Sequence, residues 1–191
     1  MTPVHLKGSG IITHHLLLDF WIRGILWVRH PVRMEKFMLG VTIGNFDGVH
    51  LGHRRLLEAV RTAVGPTGRV AAVTFDPDPA RVLGHPSPDR LMSLTRRQRT
   101  LQRHGADDVL VLEATQDLLS ATPEKFLDRL ETAFGEVPAV MVEGPDFRFG
   151  HQRAAGVEEL QRFGVDRGFE VRVEEEHRVR LKSGLEMPVR S

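Results

Sequence analysis

The sequence predicts an α/β fold: a mostly parallel sheet with helices on both faces and a hairpin at the C-terminal end. Three observations carry this. Short apolar, β-branched runs recur at Leu39–Gly44, Val70–Phe75, Val109–Leu112, Val137–Val142 and Phe169–Val173. Most are apolar at successive rather than alternate positions, as in strands buried on both faces. Segments with helical apolar spacing separate them, and strands alternating with helices imply a parallel sheet covered on both sides.

The elements follow in order. Leu39-Gly-Val-Thr-Ile-Gly44 is a buried strand closed by glycine. Leu56, Leu57, Val60 and Val64 recur at helical spacing, and Gly65-Pro66 ends that helix. Val70–Phe75 is a second strand, stopped by Asp76-Pro77-Asp78-Pro79. Leu94 and Leu101 lie on one side of a polar helix that ends at Gly105, and Val109–Leu112 is the third strand. Thr122-Pro123-Glu124 supplies an N-cap, a proline at the first helical position and an acid in the first turn. Phe126, Leu127, Leu130 and Phe134 mark the buried face of that helix. Val137–Val142 is the fourth strand, Gly156–Gly168 a helix and Phe169–Val173 the fifth strand. Val179 and Leu181 alternate on one side of Lys182-Ser183-Gly184, and Leu185, Met187 and Val189 on the other, which predicts the hairpin.

At 191 residues the chain suffices for one domain with a sizeable core. Lys plus Arg number 26 against 25 Asp plus Glu, a net charge of +1, so charge gives no reason to expect a nucleic-acid or membrane partner. There is no cysteine, which removes disulfides, thiol catalysis and cysteine-ligated metals, and fits a reducing, cytoplasmic setting. Residues 1–38 differ from the rest, with five basic residues against two acidic ones. Their apolar stretch, Ile11–Val28, is interrupted by His14, His15, Asp19 and Arg23, unlike a membrane span or a secretory signal. They are read as an N-terminal extension, either disordered or upstream of a start at Met34, with residues 39–191 as the folded domain.

In parallel sheets, ligands bind beyond the C-terminal ends of the strands. The loop after the first strand reads Gly44-Asn45-Phe46-Asp47-Gly48-Val49-His50-Leu51-Gly52-His53. Its glycines let backbone approach a ligand closely. It enters a helix whose N-terminal N–H groups and dipole favour phosphate. His50 and His53, three apart, face one side of the first turn, where two imidazoles can donate to a phosphate as charge builds up. There is no Gly-x-x-x-x-Gly-Lys-Ser/Thr, so this is not a P-loop. No further cluster of ligands suggests a protein-held metal.

His50-Leu51-Gly52-His53 resembles the His-x-Gly-His motif of the nucleotidyltransferase superfamily. Gly44–Arg54 as a whole looks like the N-terminal signature of the FMN adenylyltransferase (FAD synthetase) module of bacterial bifunctional riboflavin kinase/FAD synthetases. Val73–Pro79 resembles that family's Thr-Phe-Glu/Asp-Pro-His-Pro loop, and Gly144-Pro-Asp-Phe-Arg-Phe-Gly150 its Gly-x-Asp-Phe-Arg-Phe-Gly loop. The resemblance implies a Rossmann-like nucleotidyltransferase fold and transfer of AMP from ATP to FMN, giving FAD and pyrophosphate, in flavin cofactor biosynthesis. It implies catalytic roles for His50 and His53, and an ATP site of Gly44, Asn45, Phe46, His50, Gly52 and His53. It implies an FMN site of Asp76, Pro77, Asp146, Phe147, Arg148 and Phe149, in which a phenylalanine stacks on the flavin. The alternative for the phenylalanines is to anchor the loop in the core. Mg²⁺ would arrive with ATP and need no dedicated protein ligands.

The chain also departs from the family pattern. Asp78 stands where the family has His, which puts an acid beside two phosphates, and Arg97 stands near a family Lys. Pro188-Val189-Arg190-Ser191 stops where a Ser-Ser-Thr-x-x-Arg-like segment would begin, and the riboflavin kinase barrel is expected to be absent. The alternative expectation is therefore a catalytically weak or inactive truncated ATP/flavin-binding module. A transferase with another acceptor is disfavoured by the loop Asp146–Gly150.

Overall fold

The computed structural model describes residues 38–175, 178–180 and 186–188. The expectation for residues 1–38 lies outside them, Met38 excepted. Five parallel strands form one sheet in the order β3-β2-β1-β4-β5. They are β1 (Leu39–Ile43), β2 (Arg69–Asp76), β3 (Asp108–Glu113), β4 (Val140–Glu143) and β5 (Glu170–Val173). Long helices α1 (Leu51–Val64), α3 (Leu94–Arg103), α5 (Pro123–Phe134) and α6 (Val157–Arg167) connect them, with four-residue helices α2 (Pro79–Val82) and α4 (Gln116–Leu119).

Strand alternation sorts side chains to two cores. Leu39, Val41, Ile43, Ala71, Val73 and Met141 meet Phe126, Leu127 and Leu130 of α5 and Leu160 of α6. Val70, Ala72, Val140 and Val142 meet Leu57, Val60 and Val64 of α1 and Leu101 of α3. Each fully buried aliphatic or aromatic side chain contributes roughly 1.5–3 kcal/mol relative to exposure. Gly40 permits the close approach of α1. A Cβ there would sit 2.5 Å from Val60 Cγ1 and 2.7 Å from Val64 Cγ1. Caps fix the helix ends. Thr122 Oγ1 accepts from Lys125 N–H, Pro123 occupies the first turn of α5, and Gly135 closes it at φ 71°.

Two details differ from the sequence reading. β4 begins at Val140 rather than Val137, because Pro138 has no N–H and Val137 is exposed. The short helices α2 and α4 carry too little apolar surface for periodicity to reveal, and are capped by Asp78 and Thr115. The predicted hairpin is present as β6 (Arg178–Arg180) and β7 (Glu186–Pro188), paired antiparallel with Val179 opposite Met187.

The sheet order places a switch point between β1 and β4. The chain builds outward from β1 to β3, then returns to the other side of β1. The β1–β2 ladder runs from Leu39↔Arg69 to Ile43↔Val73, whereas β1–β4 pairs only at Gly40↔Val140 and Val41↔Met141. Beyond those pairs, at their C-terminal ends, β1 and β4 part.

Candidate functional site at the sheet's C-terminal edge

A cavity of about 1020 Å³ opens where β1 and β4 part, bounded by the strand ends Ile43, Phe75 and Glu143 and by the loops that follow them. Gly44, Asn45, Phe46, His50, Gly52 and His53 all line it, as do Asp146, Phe147, Arg148 and Phe149. Two loops far apart in sequence are thus brought to one site.

The first loop is tightly wound. Gly44 N–H donates to Val73 O at 3.0 Å. Phe46 (φ 51°) and Val49 (φ 41°) are left-handed, as is Gly48 (φ 77°) between them. A β-branched residue in that region is strained, and such strain persists only where surrounding contacts over-determine it. Here Asp47 supplies contacts by accepting from Leu91 N–H at 2.9 Å and Met92 N–H at 3.2 Å. Phe46 and Val49 are themselves fully buried.

The loop delivers His50 as the N-cap of α1, where its Nδ1 accepts from His53 N–H at 3.4 Å. An accepting Nδ1 assigns the proton of the neutral ring to Nε2. The two imidazoles stack with centroids 3.6 Å apart, and Phe46 meets His53 edge-on at 4.9 Å. His53 is 3% exposed. Burial, and secondarily the neighbouring His50, lowers its pKa from 6.5 to about 3; burial also lowers that of His50. Both rings are therefore neutral at pH 7. Among the described residues, the buried His50 Nε2 and both buried ring nitrogens of His53 have no partner. Unpaired buried polar atoms cost roughly 1–3 kcal/mol each, so their retention marks a site rather than a core. The first α1 N–H groups add to the same anion-favouring end.

The second loop divides its labour. Phe149 is buried, packed between Phe126 and Phe163 at 5.9 and 6.4 Å, and so serves mainly as a core anchor. Phe147 is half-buried and lies parallel to it at 5.5 Å, a supported aromatic ledge in the cavity wall. Asp146 and Arg148 are exposed beside it.

The third predicted segment is placed differently. Asp76 and Pro77 are not among the residues lining the cavity; Phe75, Pro79 and Ala80 line it instead. The Asp76 carboxylate is engaged by Arg90, with Arg97 at 3.9 Å. Asp78 is the N-cap of α2, accepting from Ala80 N–H at 2.8 Å and from Ser87 Oγ at 3.2 Å, so its charge is spent locally.

Two further residues shape the site. Arg97, 2% exposed, donates to Asn45 O at 2.7 Å and Phe75 O at 2.9 Å, tying together the loops that leave β1 and β2. Glu143 ends β4, 1% exposed, in the cavity wall. The sequence marks Arg97 only as standing near a family Lys, and neither that nor a single acid after an apolar run signals these roles. Among the described residues no group of three or more His, Asp or Glu side chains is placed to hold a metal.

The switch-point cavity and the His-x-Gly-His turn at a helix N-terminus define a Rossmann-like α/β protein of the nucleotidyltransferase type. A profile of the FAD synthetase family matches residues 34–183, and the chain belongs to that family. It is 34% identical over 151 residues to a bifunctional riboflavin kinase/FMN adenylyltransferase of Pseudomonas fluorescens, covering 78% of this chain and 47% of that protein. The corresponding protein of Escherichia coli (strain K12) is 34% identical over 137 residues, covering 69% and 42%. The chain spans about half the length of the curated relatives it matches. The crystal structure of a Streptococcus pneumoniae protein described as a macrolide-efflux protein has the same fold, with a TM-score of 0.63 and 23% identity over 77% of this chain and 48% of that one.

Proposed function

We propose that this protein is an FMN adenylyltransferase: it transfers AMP from ATP to FMN, releasing pyrophosphate and forming FAD. The observation that carries the reading is the stacked neutral pair His50 and His53 at the N-terminus of α1, with three buried ring nitrogens that have no partner among the described residues, in the wall of the cavity. In the reaction an FMN phosphate oxygen attacks the α-phosphorus of ATP. A P–O bond forms there as the bond to the bridging oxygen breaks, and pyrophosphate leaves. No protein nucleophile is required, so the chain contributes alignment and charge stabilisation.

The residues divide accordingly. His50 Nε2–H and a nitrogen of His53 donate to the reacting phosphate. As neutral donors, they gain strength when charge develops on the phosphate oxygens. The α1 N-terminus supports the same charge. Gly44, Asn45, Phe46 and Gly52 shape the ATP side by backbone proximity, with Phe46 acting from beneath as a buried brace for His53. Phe147 presents its ring to the isoalloxazine, with Phe149 behind it, and Asp146 and Arg148 supply polar contacts to FMN. MgATP is the metal-bearing substrate. A cytoplasmic location, with no nucleic-acid or membrane partner, belongs to the same proposal; the near-balanced charge supports the latter part.

The test is FAD formation from FMN, ATP and Mg²⁺, resolved by chromatography with fluorescence detection, with His50→Ala/His53→Ala protein as control. FAD from the parent and none from the double variant is the expected result. ATP and FMN binding without FAD would instead identify a silent binding module.

A further inference from the structure

Glu143 occupies an unusual place. It is the last residue of β4, at the switch point where the β1–β4 ladder has already ended. Its Oε1 accepts the N–H of Ile43, on the neighbouring strand, at 2.8 Å. A side-chain carboxyl thus takes a ladder bond where the two backbones have separated. Oε2 has no hydrogen-bond partner among the described residues, and the residue lines the cavity.

We propose that Glu143 is a specificity-determining residue whose Oε1 holds the end of β1 while Oε2–H donates a hydrogen bond to an acceptor atom on the planar heteroaromatic ring of a bound substrate. The inference rests on the adenylyltransferase reading and deepens it.

Three observations support it. First, burial pushes the Glu143 carboxyl well above the usual carboxylate range, against the smaller opposing effect of the Ile43 N–H, and so favours its protonated form. With Oε1 occupied as an acceptor, the proton resides on Oε2, which makes it a donor. Second, strand alternation puts Glu143 on the face of Met141, the α5 and α6 side, whereas the histidine pair belongs to α1 on the opposite face. The phosphate-facing donors and Glu143 therefore address different parts of a ligand. Third, the cavity wall on the Glu143 side includes Leu118, Phe126 and Phe147, which suit a flat ring rather than a phosphate. A neutral donor in apolar surroundings reads a ring nitrogen or ring carbonyl, and its value lies in rejecting ligands that leave it unpaired.

Two rings meet that description, the isoalloxazine of FMN and the adenine of ATP, and separate titrations distinguish them. FMN affinity is measured by flavin fluorescence and ATP affinity by calorimetry, on the full 191-residue chain and its E143M and E143Q variants, with a thermal melt of each. E143M removes the donor and keeps an unbranched side chain. E143Q keeps an acceptor for Ile43 and a donor for the ligand.

The expected result is about a tenfold loss of affinity in E143M for one of the two substrates, with the other within about twofold, and recovery of most of the loss in E143Q. Unchanged affinities in E143M would overturn the proposal alone. So would an equal loss for both substrates accompanied by a lower Tm, which is the signature of a strand-end brace. A loss in E143Q as large as in E143M would overturn the donor assignment. A wild-type chain that binds neither FMN nor ATP would overturn the functional reading and this inference with it.

Discussion

Polar groups collect at both ends of the same sheet, and the two collections are built on opposite principles. At the N-terminal edge, Arg61 donates to Asp107 and to the carbonyls of Gly65 and Gly68, while Arg69 engages Asp108 and Glu136. Asp107 also accepts from Val70 N–H at 2.8 Å. Charge there meets opposite charge, and donors meet carbonyls. At the C-terminal edge Arg97 and Asp76 are paired, but among the described residues the buried His50 Nε2 and both ring nitrogens of His53 have no partner, nor does Glu143 Oε2, and three residues of the β1–α1 loop take left-handed backbone. One edge is saturated and stabilises the fold. The other is left unsatisfied and strained at a cost, which fits a surface whose partners are substrate phosphates and rings.

The sharpest way to break this contrast is His53→Leu. On the proposed reading His53 donates to the reacting phosphate, and its removal is expected to lower turnover by roughly 10²–10³-fold. Because the ring is buried with both nitrogens unpaired, the same substitution is expected to leave Tm unchanged or raised. Turnover assays and melts on one preparation check both halves. A large fall in Tm would mean that His53 holds the fold rather than the phosphate.

Arg97→Met comes next. It strands the carbonyls of Asn45 and Phe75, each costing roughly 1–3 kcal/mol if left unsatisfied. It also uncouples the two loops, so both Tm and substrate affinity are expected to fall, with partial recovery in Arg97→Lys. Denaturant unfolding and ATP titration measure the two effects. A stability loss with unaltered affinity would confine Arg97 to the scaffold.

These expectations also indicate what a sequence can disclose. The strands were legible because burial on both faces forces continuous apolar runs. The placement of His50 and His53 on one side of the cavity was legible because their three-residue spacing follows Gly44-Asn-Phe-Asp-Gly48 directly after a buried strand. Asp76 and Pro77 were assigned to the FMN site, yet Asp76 faces Arg90 and Arg97, partners supplied by chain folded back from further along. Phe149 could be ligand contact or core from its residue type alone, and in the fold it packs on Phe126 and Phe163 while also lining the cavity. Glu143 was invisible for the same reason: a carboxylate ending a strand reads as a solvated edge until the neighbouring strand and the cavity wall bury it.

Acid tests the unsatisfied edge without any mutation. His53 titrates at about 3 in the folded protein against 6.5 as its ordinary value. Between those values the unfolded chain binds a proton that the folded chain refuses. Stability from this source is therefore fully present above about pH 6.5 and falls as pH drops toward 3, by up to ~1.4 kcal/mol per pH unit. Burial lowers the His50 pKa too, so it acts in the same sense. Melts across this range are expected to show a shallower acid slope in His53→Leu. Identical slopes would mean that the buried imidazole is not what makes the fold acid-sensitive.

The smallest effect belongs to the saturated edge. Asp107→Ala removes the acceptor for Val70 N–H and one partner of Arg61, but Arg61 keeps the carbonyls of Gly65 and Gly68. The Arg61–Asp107 pair is partly solvent-exposed, at 33% and 47%, so screening reduces its worth. The expected cost is about 1 kcal/mol in denaturant unfolding, carried mostly by the backbone hydrogen bond. Because the substitution lies at the far end of β2 and β3 from the cavity, kcat and both substrate affinities are expected to stay at wild-type values. A change in kcat with so small a loss of stability would show that the two edges communicate along the strands, and the division between a structural edge and a chemical one would have to be redrawn.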